Sequence, residues 1–112
     1  MAIEYDGKTY ETDANGYLVN IEEWSEGLAE AMAQHEGITL TQEHWDVINY
    51  LREEYYNNGQ HQPNDRTIIK EMGKRWGKKV TSKDLYNLFP LMPSKQGTRI
   101  AGLPETRRKG GY

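Results

Sequence analysis

Four stretches of this chain repeat one grammar: a polar cap, a stripe of apolar residues at helical spacing, and a glycine or proline stop. Ser25 opens a stripe of Leu28, Met32 and His35 that runs to about Glu36 and ends at Gly37. Thr41 precedes the longest one, roughly Gln42 to Tyr56, where Trp45, Ile48, Leu51, Arg52 and Tyr55 recur on one face, and Asn58-Gly59 stops it. Behind Pro63, the pair Asn64-Asp65 starts a helix over about Arg66 to Trp76, with Ile68, Ile69, Met72 and Trp76 as its stripe and Gly77 as its end. Thr81 or Ser82 caps a short helix carrying Leu85, Leu88 and Phe89, which Pro90 terminates. Ahead of these, Ile3-Glu4-Tyr5 and Thr9-Tyr10-Glu11 flank Asp6-Gly7, a two-residue hairpin turn, because Asp and Gly tolerate the positive φ it needs. Asn15-Gly16 marks a further turn, and Ile21 to Trp24 a short helical turn behind Asn20.

Beyond Pro93 the periodicity stops. The reading from residues alone is a flexible basic arm, Lys95 to Tyr112, with Ile100, Ala101 and Leu103 as a small apolar anchor and Gly110 and Gly111 near its end. There is no internal repeat and no interdomain linker, so 112 residues are expected to form one domain, 1–94, with the arm 95–112 attached.

The charge is lopsided. Residues 1–65 hold 14 acidic side chains against Lys8 and Arg52, a net of −12, and residues 66–112 hold 12 basic against three acidic, a net of +9. Either the two halves face each other in the fold, or the second half meets an anionic partner. There are 0 cysteines, which removes disulfides, thiolate metal sites and thiol catalysis at once. No signal peptide and no apolar run of membrane length is expected, so the default location is the cytoplasm. His35, His44 and His61 lack metal-ligand spacing, since the positions three and four beyond His44 are Val47 and Ile48. No cofactor motif is present. Glu22-Glu23 and Glu53-Glu54 read as solvated faces, and Trp45, Tyr50, Tyr55 and Tyr56 as core and rim.

The strings Asp13-Ala14-Asn15-Gly16-Tyr17-Leu18, Glu43-His44-Trp45-Asp46-Val47-Ile48, Leu85-Tyr86-Asn87-Leu88-Phe89-Pro90 and Lys95-Gln96-Gly97-Thr98-Arg99-Ile100-Ala101-Gly102-Leu103-Pro104 resemble the DsrC/TusE family over nearly the whole chain. That family includes the gamma subunit of dissimilatory sulfite reductase and a carrier of the tRNA 2-thiouridine sulfur relay. The resemblance implies a mainly α fold: a small helical bundle with an N-terminal β-hairpin, a helix-turn-helix-like element and a C-terminal arm. It also implies an arm whose penultimate cysteine accepts persulfide sulfur, with a second cysteine just before the Ile-Ala-Gly-Leu-Pro string in some members. Here those positions are Gly111 and Thr98, and the ending is longer. A persulfide needs a thiolate, and neither Thr98 nor Tyr112 forms an exchangeable S–S bond.

The expected function is therefore a sulfur-metabolism protein that binds and regulates without catalysis. Its partner would be a sulfite-reductase-like or sulfur-relay protein, contacted through Lys95, Gln96, Thr98, Arg99, Ile100, Leu103, Arg107, Arg108, Gly111 and Tyr112. Arg66, which the resemblance places near the docked arm, has two readings: a receptor for a carboxylate such as that of Tyr112, or a helix-face arginine paired with Asp65 or Glu71. The alternative function is a helix-turn-helix DNA-binding regulator of sulfur genes, contacting nucleic acid through Lys78, Lys79, Ser82, Lys83 and Asn87.

Overall fold

The computed structural model describes residues 2–105. Arg107, Arg108, Gly111 and Tyr112 of the expected arm lie outside the described residues. The architecture is mainly helical, with one antiparallel hairpin at its head.

The hairpin pairs β1 (Ala2–Tyr5) with β2 (Lys8–Glu11) in the register Tyr5 opposite Lys8. Asp6 and Gly7 both have positive φ, 52° and 75°, as the mirror-type turn demands. A turn held by Asp13, whose Oδ1 accepts from the amides of Asn15 and Tyr17, leads into the 3₁₀ turn Ile21–Glu23.

The helices follow their caps. Ser25 accepts from the Leu28 amide at the start of α1 (Glu26–His35), and Asn64 accepts from Thr67 at the start of α3 (Asp65–Trp76). Gly77 closes α3 in the left-handed conformation, and Thr81 and Asp84 form a reciprocal capping box on α4 (Ser82–Leu88). Two stripes are rotated from the sequence expectation. His35 is exposed, and α1 buries Leu28, Ala29, Met32 and Ala33. The helix α2 (Gln42–Asn57) turns His44, Val47, Ile48 and Leu51 inward, leaving Trp45 and Tyr55 half-buried at the flanks.

Past Pro90 the sequence shows no periodicity, yet the chain stays in the body. A π-type turn, Pro93–Gly97, runs directly into the single turn α5 (Thr98–Ile100). Ile100, Ala101 and Leu103 join the main core with Val47, Ile48, Leu51, Ile68, Met72, Leu85 and Phe89. The apolar anchor expected in the arm, Ile100, Ala101 and Leu103, is thus seated in the body, and residues 95–105 are held there despite the missing periodicity. A smaller core under the hairpin gathers Ile3, Leu18, Leu28 and Met32, and Trp24 packs against both cores.

His44 is a structural residue. Its Nδ1 accepts from the Thr41 amide at 3.0 Å and its Nε2 faces the Leu88 carbonyl at 2.9 Å, so the neutral ring with the proton on Nε2 links the start of α2 to the end of α4. Burial lowers its pKa below the ordinary histidine value, against a smaller opposing effect of the Leu88 carbonyl. Both folded and unfolded states are neutral there above pH ~6.5, and as pH falls through that value the unfolded chain takes up the proton first, so His44's contribution to stability shrinks on acidification. Thermal unfolding of the wild type and of His44→Gln is therefore expected to give melting temperatures whose difference narrows between pH 7 and pH 5.

Candidate functional site

The irregular segment after α4 is buried, and a buried irregular backbone must find partners for its polar groups. Side chains of the body supply them. Trp24 Nε1 donates to the Ile100 carbonyl at 2.9 Å, and Arg52 Nη1 to the Ala101 carbonyl at 2.7 Å. Gln62 Nε2 donates to the Pro104 carbonyl at 2.8 Å, and Tyr17 Oη to the Lys95 carbonyl at 3.3 Å. Asp65, buried at the first position of α3, accepts from the Ser94 amide at 2.8 Å and from Tyr86 Oη at 3.3 Å. Among the described residues no buried side-chain nitrogen or oxygen lacks a partner.

The anionic centre of this clasp is Glu36, at the end of α1. Its carboxylate accepts from both Nε (2.7 Å) and Nη2 of Arg99, and from Gln96 Nε2 at 2.7 Å. The other end of the Gln96 amide accepts from the Leu91 amide at 2.9 Å. The bidentate bonds to Glu36 raise the Arg99 pKa further, and burial raises that of Tyr17, over which the Arg99 guanidinium lies at 5.7 Å. On the opposite side, the Arg52 guanidinium stacks 3.8 Å from the Trp24 ring while holding Ala101.

Beneath Trp24 lies Gly102, at φ +72°. A Cβ there would stand 2.1 Å from Trp24 Cδ1, so both the backbone conformation and the space require glycine. The Ile-Ala-Gly-Leu-Pro string is thus a packing motif: two apolar plugs around one obligatory glycine.

The residues expected to touch a partner separate accordingly. Gln96, Thr98, Ile100 and Leu103 are buried and engaged within the body. Thr98, where the resemblance places a cysteine, donates its hydroxyl to the Ser94 carbonyl at 2.6 Å. Lys95 and Arg99 are half-buried. Arg66 is exposed, and the pairing with Asp65 or Glu71 is not made, because Asp65 holds Ser94 and Tyr86 while Glu71 holds Arg75. Lys78, Lys79, Ser82, Lys83 and Asn87 are all exposed on or before α4, with Lys78 3.6 Å from Glu43. The α3–turn–α4 hairpin exists, but α4 has only 7 residues and carries Asp84 in its first turn.

Sequence reasoning passed over Glu36, Trp24, Asp65, Gln62 and Tyr17. Arg52 left one signal, an arginine inside an otherwise apolar helical stripe. The charge asymmetry is relieved in part by pairs between the halves: Glu36 with Arg99, Glu53 with Arg75 at 3.1 Å and Glu43 with Lys78 at 3.6 Å.

Beside the clasp, a groove of about 530 Å³ lies between the hairpin, α1 and the C-terminal segment, walled by Ile3, Thr12, Met32, His35, Leu91 and Arg99. Leu91 is 63% exposed at its edge. The Glu105 carboxylate accepts from Asn15 Nδ2 at 3.1 and 3.3 Å, and Asn15 also lines the groove, so the described chain ends at this rim. Among the described residues there is no cluster of His, Cys, Asp and Glu suited to a metal ion, and no helix is long and apolar enough to cross a membrane.

Fold and clasp together define a small helical scaffold that fixes the root of a C-terminal extension at the edge of a groove. The sequence pattern of the family described as "DsrC like protein" matches residues 4–108. The chain is 45% identical over 104 residues to sulfurtransferase TusE of Yersinia pestis, covering 92% of this chain and 94% of that protein. Its fold is similar to the oxidized gamma-subunit of the dissimilatory sulfite reductase (DsrC) from Archaeoglobus fulgidus, with a TM-score of 0.88, 36% identity and coverage of 96% and 98% of the two chains. It is also similar to Allochromatium vinosum DsrC, with a TM-score of 0.83, 48% identity and the same coverage. The chain belongs to the DsrC/TusE family, and it has 0 cysteines.

Two measurements check the clasp. Gly102→Ala is expected to destabilise the fold by about 1–3 kcal/mol through overpacking against Trp24, read by denaturant unfolding. A double-mutant cycle of Glu36→Gln and Arg99→Gln is expected to return a coupling energy of about 1–3 kcal/mol, and a value near zero would remove this pair from the clasp.

Proposed function

We propose that this protein binds partners of a sulfur-relay or sulfite-reductase system and regulates them without carrying sulfur. The observation that supports this most directly is a full family scaffold, with its C-terminal root clasped in place, in a chain of 112 residues with 0 cysteines. Sulfur relay proceeds by thiolate attack on a sulfane sulfur, and no side chain here can supply that nucleophile. The hydroxyl at position 98 is buried and bonded to Ser94, which removes it from chemistry as well as from contact.

Retention of the Lys95–Pro104 string is explained by packing, so it does not by itself argue for docking. In this reading the docking elements are the groove beside the clasp and Leu91 at its edge, together with residues 106–112. Such a protein occupies the place of a thiol-bearing relative and blocks transfer there, which is regulation by competition.

The test is co-purification and titration with sulfur-relay proteins and sulfite reductase from the same cell, using the full chain and a chain ending at Glu105. Truncation at Lys95 is unsuitable, because it removes Ile100 and Leu103 from the core. The full chain is expected to form a complex, to lose affinity by about tenfold or more (about 1.4 kcal/mol) on truncation after Glu105, and to slow sulfur transfer by a thiol-bearing relative. Mass spectrometry after persulfide exposure is expected to show no gain of about 32 Da, the mass of one sulfur, since the acceptor thiolate is missing. Equal binding after truncation, or a sulfur adduct that a second protein can remove, would overturn the reading.

A further inference from the structure

The exposed face of α3 carries Arg66, Lys70 and Lys74, spaced four residues apart. On a helix this spacing stacks the three within one narrow stripe about 12 Å long, rising about 6 Å from each to the next. All three are exposed, and none makes a hydrogen bond or ion pair with any other described residue. Two of their basic neighbours are held, Arg75 by Glu71 and Glu53 and Lys78 by Glu43, while Lys79 and Lys83 are exposed without an ion pair to a described residue but lie off the stripe, before and on α4. Like charges at this spacing repel, so the fold itself gains nothing from the stripe.

The only acidic residues between positions 66 and 104 are Glu71 and Asp84, and both are spoken for. Glu71 binds Arg75, and Asp84 accepts from the Thr81 amide in the capping box of α4. The large exposed apolar side chains of the described residues are Val19, Tyr56 and Leu91, none of them on α3 or α4. A protein partner takes most of its affinity from buried aromatic or aliphatic anchors, which this face does not offer. A single strand needs exposed aromatic rings on which bases stack, and these are missing too. What remains is evenly spaced cationic charge without apolar anchors, which matches a phosphodiester backbone.

We infer that the Arg66–Lys70–Lys74 stripe of α3 is a binding surface for the sugar–phosphate backbone of a nucleic-acid duplex, read without regard to sequence. This moves the contact away from α4, where a helix-turn-helix reader would present its N-terminal turn. That turn is occupied by the ionised Asp84, whose charge opposes a phosphate. The inference does not rest on the sulfur-system reading, and the two fail separately.

The experiment is fluorescence anisotropy of the full-length protein with labelled 20-base-pair DNA and RNA duplexes at 50 to 200 mM salt. Three phosphate contacts give a slope of about −2.7 in log affinity against log salt, a loss of about 40-fold across that range. Arg66→Gln/Lys70→Gln/Lys74→Gln is expected to weaken binding at 50 mM salt by about tenfold or more and to flatten the slope. Each single substitution is expected to reduce the slope by about 0.9, which keeps the test valid should the triple variant fold poorly. Lys79→Gln/Lys83→Gln and the chain ending at Glu105 are expected to bind nearly as the wild type does. Binding to both duplexes with similar affinity, or to one alone with the same stripe dependence, supports the inference. Four results would overturn it: no binding at 50 mM salt, binding indifferent to the stripe, binding lost with residues 106–112 while the stripe is intact, or polyglutamate binding as tightly as either duplex.

Discussion

Side-chain donors from the body hold the carbonyls of a buried, irregular C-terminal segment, and the rest of the molecule is arranged around that need. Trp24 from the link into α1, Arg52 from α2 and Gln62 from the loop between α2 and α3 reach the carbonyls of Ile100, Ala101 and Pro104. A backbone polar group buried without a partner costs about 1–3 kcal/mol, so a segment of this length would be expelled without its donors. With them, it contributes Ile100, Ala101 and Leu103 to the main core and closes the bundle from one side. Trp24 touches both cores, donates to this segment and leaves room beneath it only for Gly102.

The clasp separates two roles that the sequence presents as one run. From Pro93 to Leu103 the C-terminal segment is architecture, buried and bonded except for the half-buried Lys95 and Arg99. At Glu105 it reaches the surface, tied to Asn15 at the rim of the groove. The chain keeps this body with 0 cysteines, and at position 98 the threonine hydroxyl donates to the Ser94 carbonyl inside the protein.

Electrostatics divides in the same manner. Part of the opposite charge of the two halves is consumed within the fold, by Glu36 with Arg99, Glu53 with Arg75 and Glu43 with Lys78. The stripe on α3 is left over. Exposed pairs are each worth little, so the sequence charge map alone does not say which cations are spent and which are free; only their placement does.

The sequence determined by itself the hairpin, the four main helices and their caps, because turns and caps are local: Asp6-Gly7, Ser25, Thr41, Asn64, Gly77 and Thr81 act on residues within one turn of themselves. It also determined the absence of thiol chemistry, a matter of composition. Which face α2 buries, the inward place of His44, and the burial of Lys95 to Leu103 were decided only in three dimensions. Those features rest on bonds between residues as far apart as Arg52 and Ala101, Trp24 and Ile100, or Glu36 and Arg99, and a hydrogen bond across such separations leaves no period in the chain.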